Sequence, residues 1–355
     1  MRRLWYPLLT VLLCAVHLPA SALDTSRPEV RKFIARVVKQ DSFNKRRLRA
    51  LLGAAQSQPS ILEAMEKRAE KAKLWFEYRA IFLTEKRIQD GADFWLAHRA
   101  ELLQSSSASG VAPEYIVAIL GVETSYGRAT GHYRVLDALA TLAFDYPSRA
   151  KFFQDELEAF LLLTREASVD PLTATGSYAG AMGAPQFMPS NYRRYAVDAT
   201  KDGRIDLWTN WPDICASVGN YFREHGWVAG EPVISEATLD AAAPGAPDGR
   251  ALTMDETVGS LHSKGVHFDA ALPASAAAVL IAADESDAVH WRVGYHNFYV
   301  ITRYNHSMLY AMAVFDLAQA VRELVAAMDA GQREAPPEFV PLPLPAPVSL
   351  SASPR

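Results

Sequence analysis

Cysteine is nearly absent: the 355 residues hold only Cys14 and Cys215. Cys14 sits in an apolar stretch at the extreme N-terminus. Its removal with that stretch would leave Cys215 alone, so no intramolecular disulfide can carry the mature fold. A long hydrophobic run is also missing. Residues 4–18 carry no charge, yet the run is shorter than the roughly 20 residues that a membrane-spanning helix needs. No basic block with interleaved aromatics occurs, and the formal net charge is −4, which sets nucleic acid aside as a partner. No internal repeat stands out. What remains is ordinary for a soluble globular chain: 50% apolar and 21% charged. That is enough for two or three packed units standing on their hydrophobic cores.

The N-terminus reads as a secretory leader. Arg2 and Arg3 supply a positive start, the apolar stretch follows, and Ala20-Ser21-Ala22 offers the small residues a signal peptidase accepts. Leu13 stands before Cys14 where a lipid-modified cysteine would be preceded by a small residue, so cleavage is expected rather than a lipid anchor. The expectation is a periplasmic protein processed after Ala22.

Beyond the leader, residues 27–103 mix charged and apolar positions at helical spacing. A break at 110–113 precedes a helix expected over 114–126 and stopped by Gly127, and helical pattern continues over 135–165 with a boundary at Pro147. Residues 173–189 are rich in Gly, Ser, Ala and Pro and read as a loop. Another helix is expected over 212–225. Prolines then punctuate 228–300, where 277–283 and 297–302 have strand-like apolar content, so a small β-containing insertion is expected. A last helix is expected over 308–328, followed from residue 333 by a Pro-, Ala- and Ser-rich tail. The fold class is thus mainly α (α+β).

One stretch carries chemistry. In residues 114–127, Ile116, Ile119, Leu120 and Glu123 recur at spacings that place them on one helix face. A carboxylate ending an apolar stripe points where a core residue should be. Desolvation there disfavours its charged form, and a glutamic acid still protonated near neutral pH is what glycosidic cleavage asks of a general acid. Gly121 and Gly127 would let another surface or a sugar approach closely. The competing reading pairs Glu123 with an arginine at the rim of the core.

Two further stretches change the weighing: Gly-Ser-Tyr-Ala-Gly-Ala-Met-Gly-Ala-Pro-Gln-Phe-Met at 176–188, and Asn-Phe-Tyr-Val-Ile-Thr-Arg-Tyr-Asn-His-Ser at 297–307. With Gly-Val-Glu-Thr-Ser-Tyr-Gly at 121–127, they resemble the lytic murein transglycosylase B family, in that family's order, over residues 28–330. The resemblance implies a lysozyme-like catalytic core over 111–227, completed by 296–307. It also implies a helical domain at 23–110 completed by 308–332, and a β-containing domain at 228–295. It implies that Glu123 protonates the bond between N-acetylmuramic acid and N-acetylglucosamine and that the product ends in a 1,6-anhydro ring. An ordinary glycosidase uses two carboxylates, and none of the three motifs holds a second.

By the same resemblance Ser177 and Gln186 contact the sugar and stabilise the reacting centre, since hydroxyl and amide both donate and accept. Met182 and Phe187 would form apolar wall. Tyr78, Tyr221, Tyr304, Asn305 and Tyr310 match groove-lining positions, where a phenol offers a flat apolar face and a polar edge. Two departures sit beside the groove. Ser125-Tyr126 replaces a bulkier, more basic pair, and Ala184-Pro185 replaces Tyr-Gly. The partner expected is peptidoglycan glycan, with cell-wall synthesis or division proteins as further candidates. No organic cofactor is expected. The readings that compete with an enzyme of this kind are a non-catalytic peptidoglycan-binding scaffold and a lysozyme-type hydrolase.

Residues 198–208 open like a calcium-binding loop. Asp198, Thr200 and Asp202 supply oxygens at positions one, three and five, Gly203 stands at six, and Arg204 at seven would offer its carbonyl. Position twelve is Thr209 instead of a glutamate, and by the family's variant loop Asp213 would take its place. Two readings stand side by side: a weak structural calcium site, and a structural turn that holds no metal.

Overall fold

The computed structural model describes residues 21–69, 73–167, 169–241, 243 and 245–334. Residues 1–20 of the leader expected at 1–22, and residues 335–355 of the tail expected from 333, lie outside the described residues. Among the described residues, no helix is long and apolar enough to cross a membrane.

The chain begins with β1 (Ser21–Ala22), followed by α1 (Pro28–Asp41), α2 (Lys45–Gly53) and β2 (Gln56–Ser57), which pairs with β1. Next come α3 (Pro59–Ala69), α4 (Trp75–Phe82), α5 (Glu85–Ala97) and α6 (Arg99–Ser109). The sequence sets these boundaries locally. Pro28 opens α1, Asn44 and Thr84 accept the Arg47 and Arg87 N–H groups at the starts of α2 and α5, and Gly110 ends α6 in a left-handed turn.

Then α7 (Pro113–Thr124) runs through the middle of the molecule, followed by β3 (Tyr133–Arg134), α8 (Val135–Asp145) and α9 (Ala150–Glu166). After β4 (Thr175–Gly176), which pairs with β3, come α10 (Pro189–Tyr195) and α11 (Trp211–Glu224). The expectation of an apolar stripe on α7 falls short of what forms. Val117, Ala118 and Val122 are buried as well as Ile116, Ile119 and Leu120, because α5, α6, α11 and α14 (Met308–Glu334) pack around it. A helix that is apolar on every side has no solvent face to present.

The β-containing part is an antiparallel sheet. It holds β5 (Ile234–Leu239), β6 (Glu256–Thr257), β7 (Val266–His267), β8 (Ala277–Asp284) and β9 (Val289–Gly294) in the order β6-β8-β9-β5-β7, with α12 (Val258–Ser263) beside it. The β8–β9 register runs from Val279 opposite Gly294 to Asp284 opposite Val289. Strand β8 is buried on both faces. Val279, Ile281 and Ala283 join the main core, while Ala278 and Leu280 join a smaller one with Leu261, Val293 and Tyr295. The period-two alternation of a strand thus welds the sheet to the helical body.

The strand expected over 297–302 is a helix, α13 (His296–Tyr304). A short apolar run does not separate the two states by periodicity. Asn297 decides it: its amide accepts the Val228 N–H at 2.9 Å and donates to the carbonyls of Val228 and Glu231, pinning the first turn. The last helix, α14, reaches Glu334, past the expected start of the tail, and packs along α7, α5 and α4.

Candidate active site

Helix α7 ends at Thr124, two residues before the expected stop. Ser125 and Tyr126 both take left-handed backbone (φ 51° and 63°) and Gly127 follows at 81°. Such a conformation costs a non-glycine residue about 1–2 kcal/mol, and it is held by what Tyr126 gains. Its ring is buried and its hydroxyl donates to the Arg87 carbonyl at 2.8 Å. A Cβ on Gly121 would stand 2.7 Å from that hydroxyl, and one on Gly127 would stand 2.8 Å from the Trp211 ring. Both glycines therefore make room for protein rather than sugar. Thr124, which sequence reasoning passed over except as a motif letter, ties the helix end to the facing loop. Its hydroxyl donates to the Ala184 carbonyl at 2.8 Å and accepts the Gly127 N–H at 3.0 Å.

That strained end presents Glu123, half-buried. Tyr310, buried on α14, donates its hydroxyl to Glu123 Oε1 at 2.6 Å. The contact joins residues 187 positions apart. It fixes one carboxyl oxygen and the plane in which a proton can be delivered. Around it stand the other tyrosines. Tyr304 at the end of α13 donates to the Pro185 carbonyl at 2.7 Å, and its ring lies 4.7 Å from Tyr221 and 5.9 Å from Phe187. Tyr221 on α11 donates to the Arg303 carbonyl at 2.6 Å. Burial first, and then the Glu123 carboxylate, push the Tyr304 and Tyr310 hydroxyls well above the ordinary phenol range. Burial does the same for Tyr221, with a smaller contribution from Glu123. All three are neutral donors at any working pH.

The loop at 176–188 faces this cluster. Met182 and Phe187 form a two-residue antiparallel bridge, and both are fully buried. They pack behind the wall instead of forming its surface, because the bridge turns their side chains into the core. Ser177 closes a tight turn, its hydroxyl accepting the Ala181 N–H at 3.1 Å. Gln186 sits in left-handed backbone (φ 52°), and its amide nitrogen donates to the carbonyls of Thr130 and Gly183, each at 3.0 Å. The amide is thus oriented before any ligand arrives. Tyr78 on α4 has its ring 5.2 Å from that of Phe82 at a tilt of 45°, and Asn305 caps the end of α13, both half-buried. Tyr310 and Tyr221, expected to line the groove, are buried beneath it, since both hydroxyls are spent on protein partners.

The loop at 198–213 is closed by its own backbone. Asp198 accepts the Asp202 and Gly203 N–H groups at 3.3 and 2.8 Å, and Asp202 accepts that of Arg204 at 2.8 Å. Asp213 is buried, accepting the N–H groups of Ala199 and Asp206 at 2.8 and 3.0 Å. Asp206, absent from the expected ligand set, caps the turn at Trp208 and Thr209. Among the described residues, no group of three or more His, Cys, Asp or Glu side chains is placed to hold a metal ion.

A carboxyl group at a helix end, held by a buried phenol and backed by tilted tyrosine rings on a mainly helical body, is an arrangement that suits a glycan-cleaving enzyme of lysozyme-like fold. The family described as Transglycosylase SLT domain matches residues 25–319. The membrane-bound lytic murein transglycosylase B of Escherichia coli (strain K12) is 41% identical over 305 residues, 83% of either chain. This chain belongs to that transglycosylase family and is a lytic murein transglycosylase, an enzyme that cleaves peptidoglycan. The solved structures agree. Catenated SltB1 of Pseudomonas aeruginosa is 45% identical, covering 84% of this chain and 98% of its own, with a TM-score of 0.81. Escherichia coli Slt35 in complex with calcium is 41% identical over 86% of this chain and 97% of its own, with a TM-score of 0.78. Pseudomonas aeruginosa SltB3, in complex with NAG-NAM-pentapeptide, is 29% identical over 82% of this chain and 78% of its own, with a TM-score of 0.74.

Proposed function

We propose that the enzyme cuts the β-1,4 bond between N-acetylmuramic acid and N-acetylglucosamine with Glu123 as its one acid and base. The Glu123 acid gives its proton to the glycosidic oxygen as the bond to the muramyl anomeric carbon breaks, and the N-acetylglucosamine side leaves as an alcohol. The resulting carboxylate takes the proton of the muramyl 6-hydroxyl as that oxygen bonds to the anomeric carbon. The ring closes as the 1,6-anhydro sugar, the acid is restored, and no water is consumed.

The observation that carries this reading is the Tyr310–Glu123 hydrogen bond inside a wall of neutral tyrosines. The Glu123 carboxylate acts on both Tyr304 and Tyr310, after burial the largest influence on each. A water-using glycosidase sets a second carboxylate about 5–10 Å from the first. Ser177 and Gln186, on the facing loop, suit the acetamido group, with Tyr304 and Asn305 beside them. The SltB3 complex with NAG-NAM-pentapeptide supports the same ligand class here. The leader at 1–22 and a wall substrate support action in the periplasm.

The 198–213 loop fits a hard cation in the kind of donor it offers: the Asp198 and Asp202 carboxylates, the Thr200 hydroxyl and the Arg204 carbonyl, with Asp213 closing the loop behind. The calcium complex of Slt35 supports calcium as that ion. Its contribution would be to brace the loop ahead of α11.

The test is digestion of purified sacculi followed by mass spectrometry of the soluble muropeptides. Ends one water lighter than hydrolysed ends are expected. Water-added ends would mean a lysozyme-type hydrolase with a second carboxylate. The absence of any soluble product would mean a binding scaffold.

A further inference from the structure

One residue outside the expected site holds the chain on both sides of Glu123. Arg87 stands in the first turn of α5, where its own N–H is pinned by the Thr84 hydroxyl at 3.2 Å. Its guanidinium donates to the Gly121 carbonyl, two residues before Glu123. Its carbonyl accepts the Tyr126 hydroxyl at 2.8 Å, three residues after Glu123. Helix α5 reaches the same segment once more. Asp90 pairs with Arg128, whose guanidinium lies 5.7 Å from the centre of the Tyr126 ring.

These contacts meet the chain where it is least able to hold itself. The last carbonyls of a helix have few partners of their own, and Gly121 accepts its helical bond from the Ser125 N–H at a long 3.2 Å. The two residues after Thr124 are both left-handed, and such backbone persists only where its surroundings over-determine it. The seat for Tyr126 is close-fitting as well. A Cβ on either Gly91 or Gly121 would run into the hydroxyl that donates to Arg87.

The arrangement works against the charge it uses. Arg87 is half-buried, with its guanidinium 5.4 Å from the centre of the Phe82 ring, and burial pulls its pKa below the ordinary arginine value. An apolar side chain of similar volume would avoid that penalty. What it could not do is aim a donor at the Gly121 carbonyl.

We propose that Arg87 is the positioning residue of Glu123, fixing the backbone on either side so that the carboxyl faces the bond to be cut. It acts through Gly121 and Tyr126, and the inference rests on Glu123 as the acid proposed above.

The test is steady-state cleavage of soluble glycan by Arg87→Met, Arg87→Lys and Tyr126→Phe, with the melting temperature measured beside it. Arg87→Met should hold its melting temperature and KM while kcat falls roughly 10- to 100-fold, the scale on which a small misplacement of a reacting group acts. Arg87→Lys keeps a cationic donor for the Gly121 carbonyl and should recover part of that loss. Tyr126→Phe keeps the ring and loses one hydrogen bond, so its kcat should fall about fivefold. A merely structural role would lower the melting temperature and leave kcat per folded molecule intact, which would overturn the inference. So would Arg87→Lys no better than Arg87→Met, or a KM that rises in step with the loss of kcat. If Arg87→Met does not fold, Arg87→Lys and Tyr126→Phe decide by the same split between kcat and KM. Glu123→Gln separates this inference from the reading beneath it. Turnover that survives Glu123→Gln removes the acid itself, whereas turnover lost there and kept in Arg87→Met removes only the positioning role.

Discussion

Glu123 on α7 and Glu156 on α9 are glutamates of one protein, each set among apolar residues, and their surroundings differ. Glu156 on α9 is the more deeply buried, at 6% exposure. Both its oxygens are taken where α10 begins, by the Ser190 N–H at 3.0 Å and the Ser190 hydroxyl at 2.7 Å. Burial pushes its acidity up, and the two serine bonds pull against that. Glu123 is half-buried, at the mouth of a helix end held open by Ser125 and Tyr126, with the Tyr310 phenol on Oε1. A carboxyl group saturated by the backbone and a serine is a helix cap. One that is oriented by a neutral phenol beside a loop of polar groups suits the proton donor proposed above. Burial alone does not make the catalyst; the partners and the access do.

Substituting the two glutamates separates them most sharply. Glu123→Gln should lower muropeptide release by about 10²–10⁴-fold, the span of a general acid's contribution, with the melting temperature little changed. Equal activity would return Glu123 to the class of Glu156. Next in size is Tyr310→Phe. Losing one hydrogen bond to a charged group is worth about 1.5–3 kcal/mol, so turnover should fall roughly 10- to 150-fold while substrate affinity holds. Gln186→Ala and Ser177→Ala should each cost less than either, about tenfold, read as kcat against KM on soluble glycan.

Glu156 should show itself in stability. Glu156→Ala removes the acceptor of both the Ser190 N–H and the Ser190 hydroxyl, at a cost of about 1–3 kcal/mol by denaturant titration, with cleavage per folded molecule unchanged. The pH dependence has a definite sign. Because burial raises the folded acid of Glu156 above its unfolded value, its contribution is fully present below the unfolded value and is lost as pH rises through the folded one. Glu156→Gln should therefore gain on the unsubstituted protein as pH rises through that window, and the gap should close on acidification. A pH-independent gap would show that the proton is not involved. The smallest effect is expected from calcium. Chelation should lower the melting temperature by only about 2–4 °C, matching roughly 1 kcal/mol, and leave the anhydro product unchanged.

The same contrast explains what could be read in advance. The helices and the β8 strand were legible because each follows from neighbours in the chain: the break expected at 110–113 formed where Gly110 ends α6. Glu123 was legible from its motif. The helix at 297–302 was not, because its first turn is fixed by Val228 and Glu231 from far along the chain. Tyr310 was placed in the groove when it is instead the residue that holds Glu123, since a tyrosine letter does not say which way its hydroxyl turns. The glycines at 121 and 127 were read as room for a ligand, whereas Tyr126 and Trp211 fill that room.

By itself the sequence determined the helical body and the transglycosylase family and singled out Glu123, all carried by local pattern or by a run of neighbouring residues. Only the tertiary structure decided that α7 has no solvent face, that Met182 and Phe187 lie behind the wall, and that Asp213 braces its loop. It alone paired Tyr310 with Glu123. The physical reason is common to all four. Burial and hydrogen-bond partnership are properties of residues brought together from distant parts of the chain, and a side chain's chemistry is set by those partners as much as by its own atoms.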